Sequence, residues 1–486
     1  MISVWISSSL GRIEEIGSGL CWDRDALARE VERRAGALVA AGVTRGVRVA
    51  ITQGGTAAFL ADLLAIWTLG ATAAVIDPAL TPSERKTLLE YFDPGAVLVA
   101  RACAAIDRGW RVMALDDAGG NTVRPAAGPA PNDPGDPALV LFTSGTTGDP
   151  KGVVLSYGAI AARISANIAA IGAGTLRKTL VTLPTSFGHG LIGNGLTPLF
   201  AGATVVFGPL GLELARDLGR IVDRHEISFL SSVPALWPMA MKLGQSPLHG
   251  SLQRVHVGSA MLSARLWADI AAWTRCDVIN CYGMTETANW FAGASSRDRI
   301  AEGLVGKPWN GTAAIYDDER HCVAPGGEGE VVARTPALMS GYLGRPDLTA
   351  AALVDGWYRT GDRGRVDPDG SIWLAGRIKD EINRAGFKVQ PAELDKLLSA
   401  HPAVAEACVF GQPDPIGGEA VAAAIRLKEG AAATAEELRE WCRARLRREA
   451  VPEHWYFVSE IPRNARGKIA REQVRIAVQN GHTRER

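Results

Sequence analysis

Between residues 26 and 141 the chain alternates helix-like stripes with short apolar strands, and this alternation limits the fold more than any other feature. Leu27, Val31, Leu38 and Val39 fall on one helical face that stops near Gly42. Residues 48–51 read as a strand, 57–69 as an apolar helix and 73–76 as a second strand. A new helix should begin at Thr81-Pro82-Ser83-Glu84. Thr81 suits the cap, Pro82 fits the first turn, and Glu84 can reach back to the cap amide. Strands at 96–99 and 138–142 continue the series, with the Pro-, Gly- and Asp-rich stretch 126–137 as the loop into the last of them. Repeated units of this kind predict an α/β fold of mostly parallel sheets covered by helices.

After about residue 320 the texture changes to Gly-rich turns and short strands at 329–334, 357–361 and 371–376. A last unit follows, with helical patterns at 391–399 and 435–448 and strand patterns at 405–410 and 421–427. The natural seam lies at 376–380. The expected organisation is a large N-terminal domain, 1–378, carrying a β-rich subdomain, and a small α+β C-terminal domain, 379–486.

The 52 Lys and Arg balance the 52 Asp and Glu, so no global basic field gathers nucleic acid or an anionic membrane, and neither partner is expected. Seven cysteines, at 21, 103, 276, 281, 322, 408 and 442, form no Cys-x-x-Cys pair and read as reduced, mostly buried small hydrophobes. Residues 1–9 lack the basic start and long apolar run of a signal peptide, and no later stretch has the length of a membrane span. The expected location is the cytoplasm.

The sharpest local motif is Thr143-Ser144-Gly145-Thr146-Thr147-Gly148-Asp149-Pro150-Lys151-Gly152, directly after an apolar strand. Its glycines and small hydroxyl residues let backbone N–H groups and side-chain hydroxyls surround a polyphosphate, and Lys151 supplies charge. It is not the Walker A loop, which needs Gly-Lys-Ser/Thr in sequence, whereas Gly148 and Lys151 are separated here. It reads as a phosphate-gripping loop; the lesser alternative, for such a segment taken alone, is a flexible surface turn.

Four further motifs follow in order: Asn280-Cys281-Tyr282-Gly283-Met284-Thr285-Glu286; Tyr358-Arg359-Thr360-Gly361-Asp362; Gly376-Arg377-Ile378-Lys379-Asp380; and Pro462-Arg463-Asn464-Ala465-Arg466-Gly467-Lys468. With all five in order, from about residue 25 to about 472, the chain resembles the adenylate-forming superfamily of acyl-CoA synthetases, nonribosomal-peptide adenylation domains and beetle luciferases. The resemblance implies ATP-dependent activation of a carboxylic acid as an acyl adenylate, then transfer to a thiol. Two anions must meet while pyrophosphate leaves, so charge neutralisation is the main task.

The resemblance also implies roles. Thr143, Ser144, Gly145, Thr146, Thr147, Gly148 and Lys151 would hold phosphates. Asn280, Tyr282 and Gly283 would belong to the nucleotide site, with Tyr282 stacking on adenine; Thr285 would touch phosphate and Glu286 would hold Mg²⁺. Asp362 would grip the ribose hydroxyls, a task that suits an acceptor-only carboxylate, with Arg377 as its helper. Lys468 would bridge the carboxylate and the α-phosphate, its ammonium following charge as it builds on phosphorus. Lys379 would be the pivot of a mobile C-terminal domain, since Lys468 occupies the place where the thiol must later approach.

Gly188-His189-Gly190-Leu191-Ile192-Gly193 spells Gly-x-Gly-x-x-Gly, with Glu213 twenty residues beyond, as an NAD(P)-dependent oxidoreductase would want. Against that, Pro198 would sit inside the following helix, and Glu213 comes six residues after the strand it should close. In the superfamily the same segment lines the acyl pocket. That places Phe187 and His189 near the substrate, with Trp237 and Gly258 as further walls, though His189 is equally a satisfied core histidine. Amino-acid-activating relatives usually carry an Asp after the Phe of this segment; here Gly188 stands there, and no Asp or Glu occurs from 181 to 212. A buried substrate ammonium would lack a partner, so the acid is expected to have no α-amine. The acceptor is expected to be CoA, or alternatively the phosphopantetheine of an acyl or peptidyl carrier protein. Arg443, Arg445, Arg447 and Arg448 are candidates to meet either, or simply a solvated basic face.

Overall fold

The computed structural model describes residues 10–100, 109–117, 133–144, 150–384, 387–414, 418–446, 448–464, 468–479 and 484–485. Two compact units emerge: Met1–Ala313 with Ala333–Tyr358, and Ala314–Val332 with Arg359–Arg486. The seam expected at 378/379 falls inside the second unit, where the helix Pro391–Ser399 packs against the strand Ile372–Arg377.

In the first unit, one sheet runs in the order Gly341–Tyr342, Pro150–Ser156, Pro137–Ser144, Thr72–Val75, Arg48–Ile51, Ala96–Leu98, Val112–Met113. The pairings from Pro137–Ser144 outward to Val112–Met113 are parallel. All four residues of Thr72–Val75 are buried, as befits a parallel strand covered on both faces. The capping box at Thr81 forms as expected: Glu84 N–H donates to the Thr81 hydroxyl at 3.3 Å, and Thr81 N–H donates to the Glu84 carboxylate at 2.9 Å.

A second sheet in this unit orders Leu304–Pro308, Asn289–Ser295, Asp277–Met284, Arg254–Val257, Phe229–Ser232, Lys178–Val181, Thr204–Phe207, Arg12–Glu15 and Cys21–Trp22. The six strands from Asp277–Met284 to Arg12–Glu15 pair in parallel, and the carboxyl end of Asp277–Met284 leads into Thr285 and Glu286. Between the helices Arg24–Ala40 and Ala57–Thr68 lies a buried ion pair, Arg34 with Asp62, that reaches an exposed acid at its rim. Arg34 bonds both Asp62 and Asp116, and Asp62 also accepts from Gln53.

The second unit carries a sheet in which Val404–Asp414 and Gly418–Leu427 pair antiparallel. Alternate residues face opposite ways. Val409, Val421, Ala423 and Ile425 share a core with Leu394, Leu398 and Leu438, while Cys408, Phe410, Ala422 and Ala424 share another with Ile461, Val474 and Val478. The helix expected at 435–448 spans Ala435–Arg443 instead. Ala450 and Val451 are drawn into the core just before Pro452, which a continuing helix would not allow. Of the six described cysteines, all free, Cys276, Cys281, Cys408 and Cys442 are buried; Cys103 lies outside the described residues. Among the described residues no helix is long and apolar enough to cross a membrane.

Candidate active site

The phosphate-loop motif sits on a hairpin of antiparallel strands: Thr143 faces Lys151 and Ser144 faces Pro150. Gly145, Thr146, Thr147 and Gly148 lie outside the described residues. The Lys151 ammonium lies 5.4 Å from the centre of the Tyr342 ring, and the Tyr342 hydroxyl donates to Glu286 Oε1 at 2.9 Å. Burial, together with the Glu286 charge, pushes the Tyr342 phenol above its ordinary range, so it stays a donor.

Glu286 and Thr285 belong to a single 3₁₀ turn, Thr285–Thr287, at the end of the strand Asp277–Met284. That turn is forced by Gly283, where a Cβ would lie 2.2 Å from the Asn289 carbonyl oxygen, so only glycine lets the chain double back. The Thr287 hydroxyl accepts from Met284 N–H at 3.2 Å and donates to the Asn289 carbonyl at 2.9 Å. Tyr282, ahead of the bulge, is buried. Asn280 is buried too, its amide donating to the Leu304 carbonyl at 2.7 Å, which ties this strand to the one beginning at Leu304. Glu286 Oε1 is taken by Tyr342, and no described residue holds Oε2. Among the described residues no group of three or more His, Cys, Asp and Glu gathers. One half-buried carboxylate with a hydroxyl beside it fits Mg²⁺, which is held by one or two carboxylates together with substrate phosphates.

Two residues outside the sequence motifs support this turn. Tyr342 is one. Arg163 is the other: fully buried, it donates from Nε to the Thr287 carbonyl at 3.1 Å and from Nη1 to the Trp309 carbonyl at 3.3 Å. The signal for it was an arginine on the apolar face of the helix Tyr157–Ile171, between Ile160 and Ile164.

In the second unit, Arg377 Nε lies 2.7 Å from Asp362 Oδ1. Asp362 is 6% exposed at its position in the strand Trp357–Val366, and its N–H donates to the Thr360 hydroxyl at 3.0 Å. Gly361 takes φ +68°, a left-handed turn that glycine adopts without strain, and its N–H donates to Glu330 at 3.0 Å. Lys468 closes a loop three residues ahead of the helix Arg471–Gln479. Its N–H donates to Asn464 Oδ1 at 3.1 Å, and Asn464 N–H donates back to its carbonyl at 2.9 Å. Lys379 is exposed in the 3₁₀ turn Ile378–Asp380, and Asp380 Oδ2 is 4.0 Å from Arg471 Nε.

The glycine-rich stretch 188–193 is neither a strand-to-helix turn nor a nucleotide fingerprint. It enters a π-helix, His189–Leu196, whose Thr197 N–H reaches the Ile192 carbonyl five residues back. Its glycines answer to packing: a Cβ at 190 would lie 2.2 Å from the Pro184 carbonyl oxygen, and one at 193 would lie 2.7 Å from Trp290. Glu213 sits in the first turn of the helix Gly211–Arg224, so the dinucleotide reading loses its acid as well. His189 is held between two serines, Nδ1 to Ser259 Oγ at 2.7 Å and Nε2 to Ser231 Oγ at 2.5 Å, with its ring edge-on to Trp290. Gly258 lies beside it, 3.6 Å from a Cβ position to the His189 ring. Phe187 is half-buried one helical turn before Leu191, which donates to its carbonyl. Trp237 is fully buried, Nε1 donating to Ser232 Oγ at 2.8 Å. Of the arginine cluster, Arg443 is spent on Glu436 and Glu440 of its own helix, and Arg445 lies over the Trp441 ring; Arg447 lies outside the described residues.

Residues 24–343 match the AMP-binding enzyme family and residues 393–468 match the AMP-binding enzyme C-terminal domain. The chain is 31% identical over 468 residues to an oxalate–CoA ligase of Arabidopsis thaliana, covering 91% of both chains. It is 34% identical over 481 residues to an indoleacetate–CoA ligase of Aromatoleum aromaticum, covering 93% of this chain and 92% of that one. The ATP-bound crystal structure of MatB from Rhodopseudomonas palustris superposes with a TM-score of 0.88 at 26% identity, covering 99% of each chain. Fold and sequence together define an AMP-forming acid:thiol ligase. The chain belongs to the AMP-binding enzyme family.

Proposed function

We propose that the chain activates a carboxylic acid without an α-amine by attack of its carboxylate on the α-phosphorus of ATP, releasing pyrophosphate, and then passes the acyl group to CoA with release of AMP. The observation that carries this is the contact chain Lys151, Tyr342, Glu286, which brings the phosphate-loop lysine and the carboxylate suited to Mg²⁺ onto one tyrosine. Bound at Glu286, Mg²⁺ would supply positive charge to the phosphates. Lys151 adds a second positive charge for the phosphates, and Lys468 is the charge that meets the developing phosphorane. Thr285 offers a hydroxyl to phosphate, Tyr282 a flat face to adenine, and the buried Asp362 carboxylate accepts from the ribose hydroxyls with Arg377 paired against it.

The acyl pocket is read as the surroundings of His189, Gly258 and Phe187. Polar partners there are Ser231 and Ser259, and the segment 181–212 holds no acid to receive an ammonium. CoA is favoured over a carrier protein because the relatives above are CoA ligases and, of the arginine cluster, Arg443 is engaged by Glu436 and Glu440 of its own helix. ATP and CoA as substrates fit action in the cytoplasm. Carboxylate-dependent exchange of labelled pyrophosphate into ATP across an acid panel, followed by CoA addition, tests the reading. Simple carboxylic acids should support exchange and α-amino acids should not. Robust turnover of a free amino acid, or no exchange with any acid together with tight NADH binding, overturns it.

A further inference from the structure

Tyr342 is pinned before its side chain reaches anything. Gly341–Tyr342 pairs with Val153 and Val154 of the strand that leaves the phosphate loop. Tyr342 N–H donates to the Thr349 hydroxyl at 2.9 Å, Leu343 N–H donates to the Gly152 carbonyl at 2.7 Å, and Tyr91 bonds the Leu343 carbonyl. Gly341 takes φ +151°, and a Cβ there would lie 2.8 Å from Thr349, so the approach admits only glycine. Met339 N–H, in the same segment, donates to the Glu286 backbone carbonyl at 2.8 Å. The segment 339–343 therefore grips Glu286 twice, by its backbone and by its carboxylate. Tyr358, on the strand that runs on toward Asp362, hydrogen-bonds the Tyr342 side chain from the other side.

We infer that Tyr342 is a positioning residue for the adenylation step: its hydroxyl holds the Glu286 carboxylate by Oε1 and leaves Oε2 for the cation, while its ring seats the Lys151 ammonium. The inference rests on the reading of Glu286 as the metal carboxylate. A charge-assisted hydrogen bond to a half-buried carboxylate restricts its rotamer, and a cation over an aromatic face restricts the lysine. One side chain thus sets two charges that would flank the same phosphates, which neither motif could do from its own loop.

The test separates ring from hydroxyl. Tyr342→Phe keeps the seat for Lys151 and removes the donor. Mn²⁺ binding, read by electron paramagnetic resonance with α,β-methylene-ATP present, should weaken about 5- to 20-fold, while metal-free nucleotide binding stays near wild type. Tyr342→Leu should weaken both. In a Glu286→Gln background, Tyr342→Phe should weaken Mn²⁺ binding no further, because the group it positions is gone. Wild-type Mn²⁺ binding in Tyr342→Phe, or an undiminished effect in the Glu286→Gln background, overturns the inference. Unchanged Mn²⁺ binding in Glu286→Gln itself overturns the metal assignment instead, so the two failures are distinguishable. Should Tyr342→Leu not fold, the Phe variant and the double variant decide alone.

Discussion

Asp362 and Arg377 face each other across an antiparallel strand pair, with Arg377 Nε 2.7 Å from Asp362 Oδ1. The carboxylate is buried and the guanidinium is exposed, so the arginine reaches in from the rim. The planar fork of the guanidinium orients a carboxylate more closely than a point charge would.

If Asp362 receives both ribose hydroxyls, the wild type should use ATP about 10- to 100-fold better, in kcat/KM, than 2′,3′-dideoxy-ATP. Asp362→Ala should use the two alike, at the lower level. Pyrophosphate exchange with each nucleotide measures it, and a variant that still discriminates would remove Asp362 from the ribose site.

Lys468→Ala should lower adenylation about 100-fold or more while leaving ATP binding and thioester formation from preformed acyl adenylate largely intact. The two bonds between Lys468 and Asn464 use the Lys468 main chain, so truncating its side chain leaves both in place. Equal losses in both half-reactions would show that the lysine serves the fold rather than the phosphorus.

Lys379→Pro fixes φ within the turn Ile378–Asp380. Pyrophosphate exchange should stay within about 3-fold of wild type while thioester formation falls by about 10-fold or more, since a hinge that cannot turn blocks one arrangement selectively. Measuring the half-reactions separately decides it, and parallel losses would put the pivot elsewhere.

Burial lifts the Asp62 carboxyl from its usual 3.8 to about 6, in spite of Arg34 beside it. A folded-state value above the unfolded one means that this group's contribution is fully present below about pH 4 and fades as pH rises through about 6, amounting to about 3 kcal/mol. Denaturation of wild type and Asp62→Asn should therefore show the wild type losing ground to the variant between about pH 4 and about pH 6, with little further change above about pH 7. Arg34→Met strands the carboxylate and should cost about 3–5 kcal/mol at neutral pH, and less in acid, where Asp62 takes up its proton. A pH-independent difference in both comparisons would contradict the assignment.

Much of the frame was legible because it is local. The Thr81 cap, the helix Pro391–Ser399 and the strand Arg48–Ile51 follow from spacing and capping chemistry within a few residues. Motif order also pointed to Glu286, Asp362 and Lys468. What stayed hidden depends on contacts remote in sequence. Tyr342 meets Glu286 across 56 residues and Arg163 meets Thr287 across 124, and no window of sequence shows either. The reason for the glycines at 188–193 was hidden in the same way. Their cause is the approach of Pro184, Asn289 and Trp290, not a ligand backbone. The end of the helix Ala435–Arg443 was overrun because the arginines after it keep a helical propensity that the burial of Ala450 and Val451 overrides.

The π-helix His189–Leu196 is, in chain terms, an α-helical turn with one residue inserted. Such an insertion is removable. Deleting a single residue between His189 and Thr197 would restore the shorter ladder and swing the few residues just ahead of the deletion about the helix axis, taking the imidazole off Ser231 and Ser259. The strand Lys178–Val181 before it and the helix Thr197–Phe200 after it would keep their places. A lineage carrying this segment has a one-codon route to re-aim the side chain proposed to meet the acid, without disturbing the nucleotide half of the site.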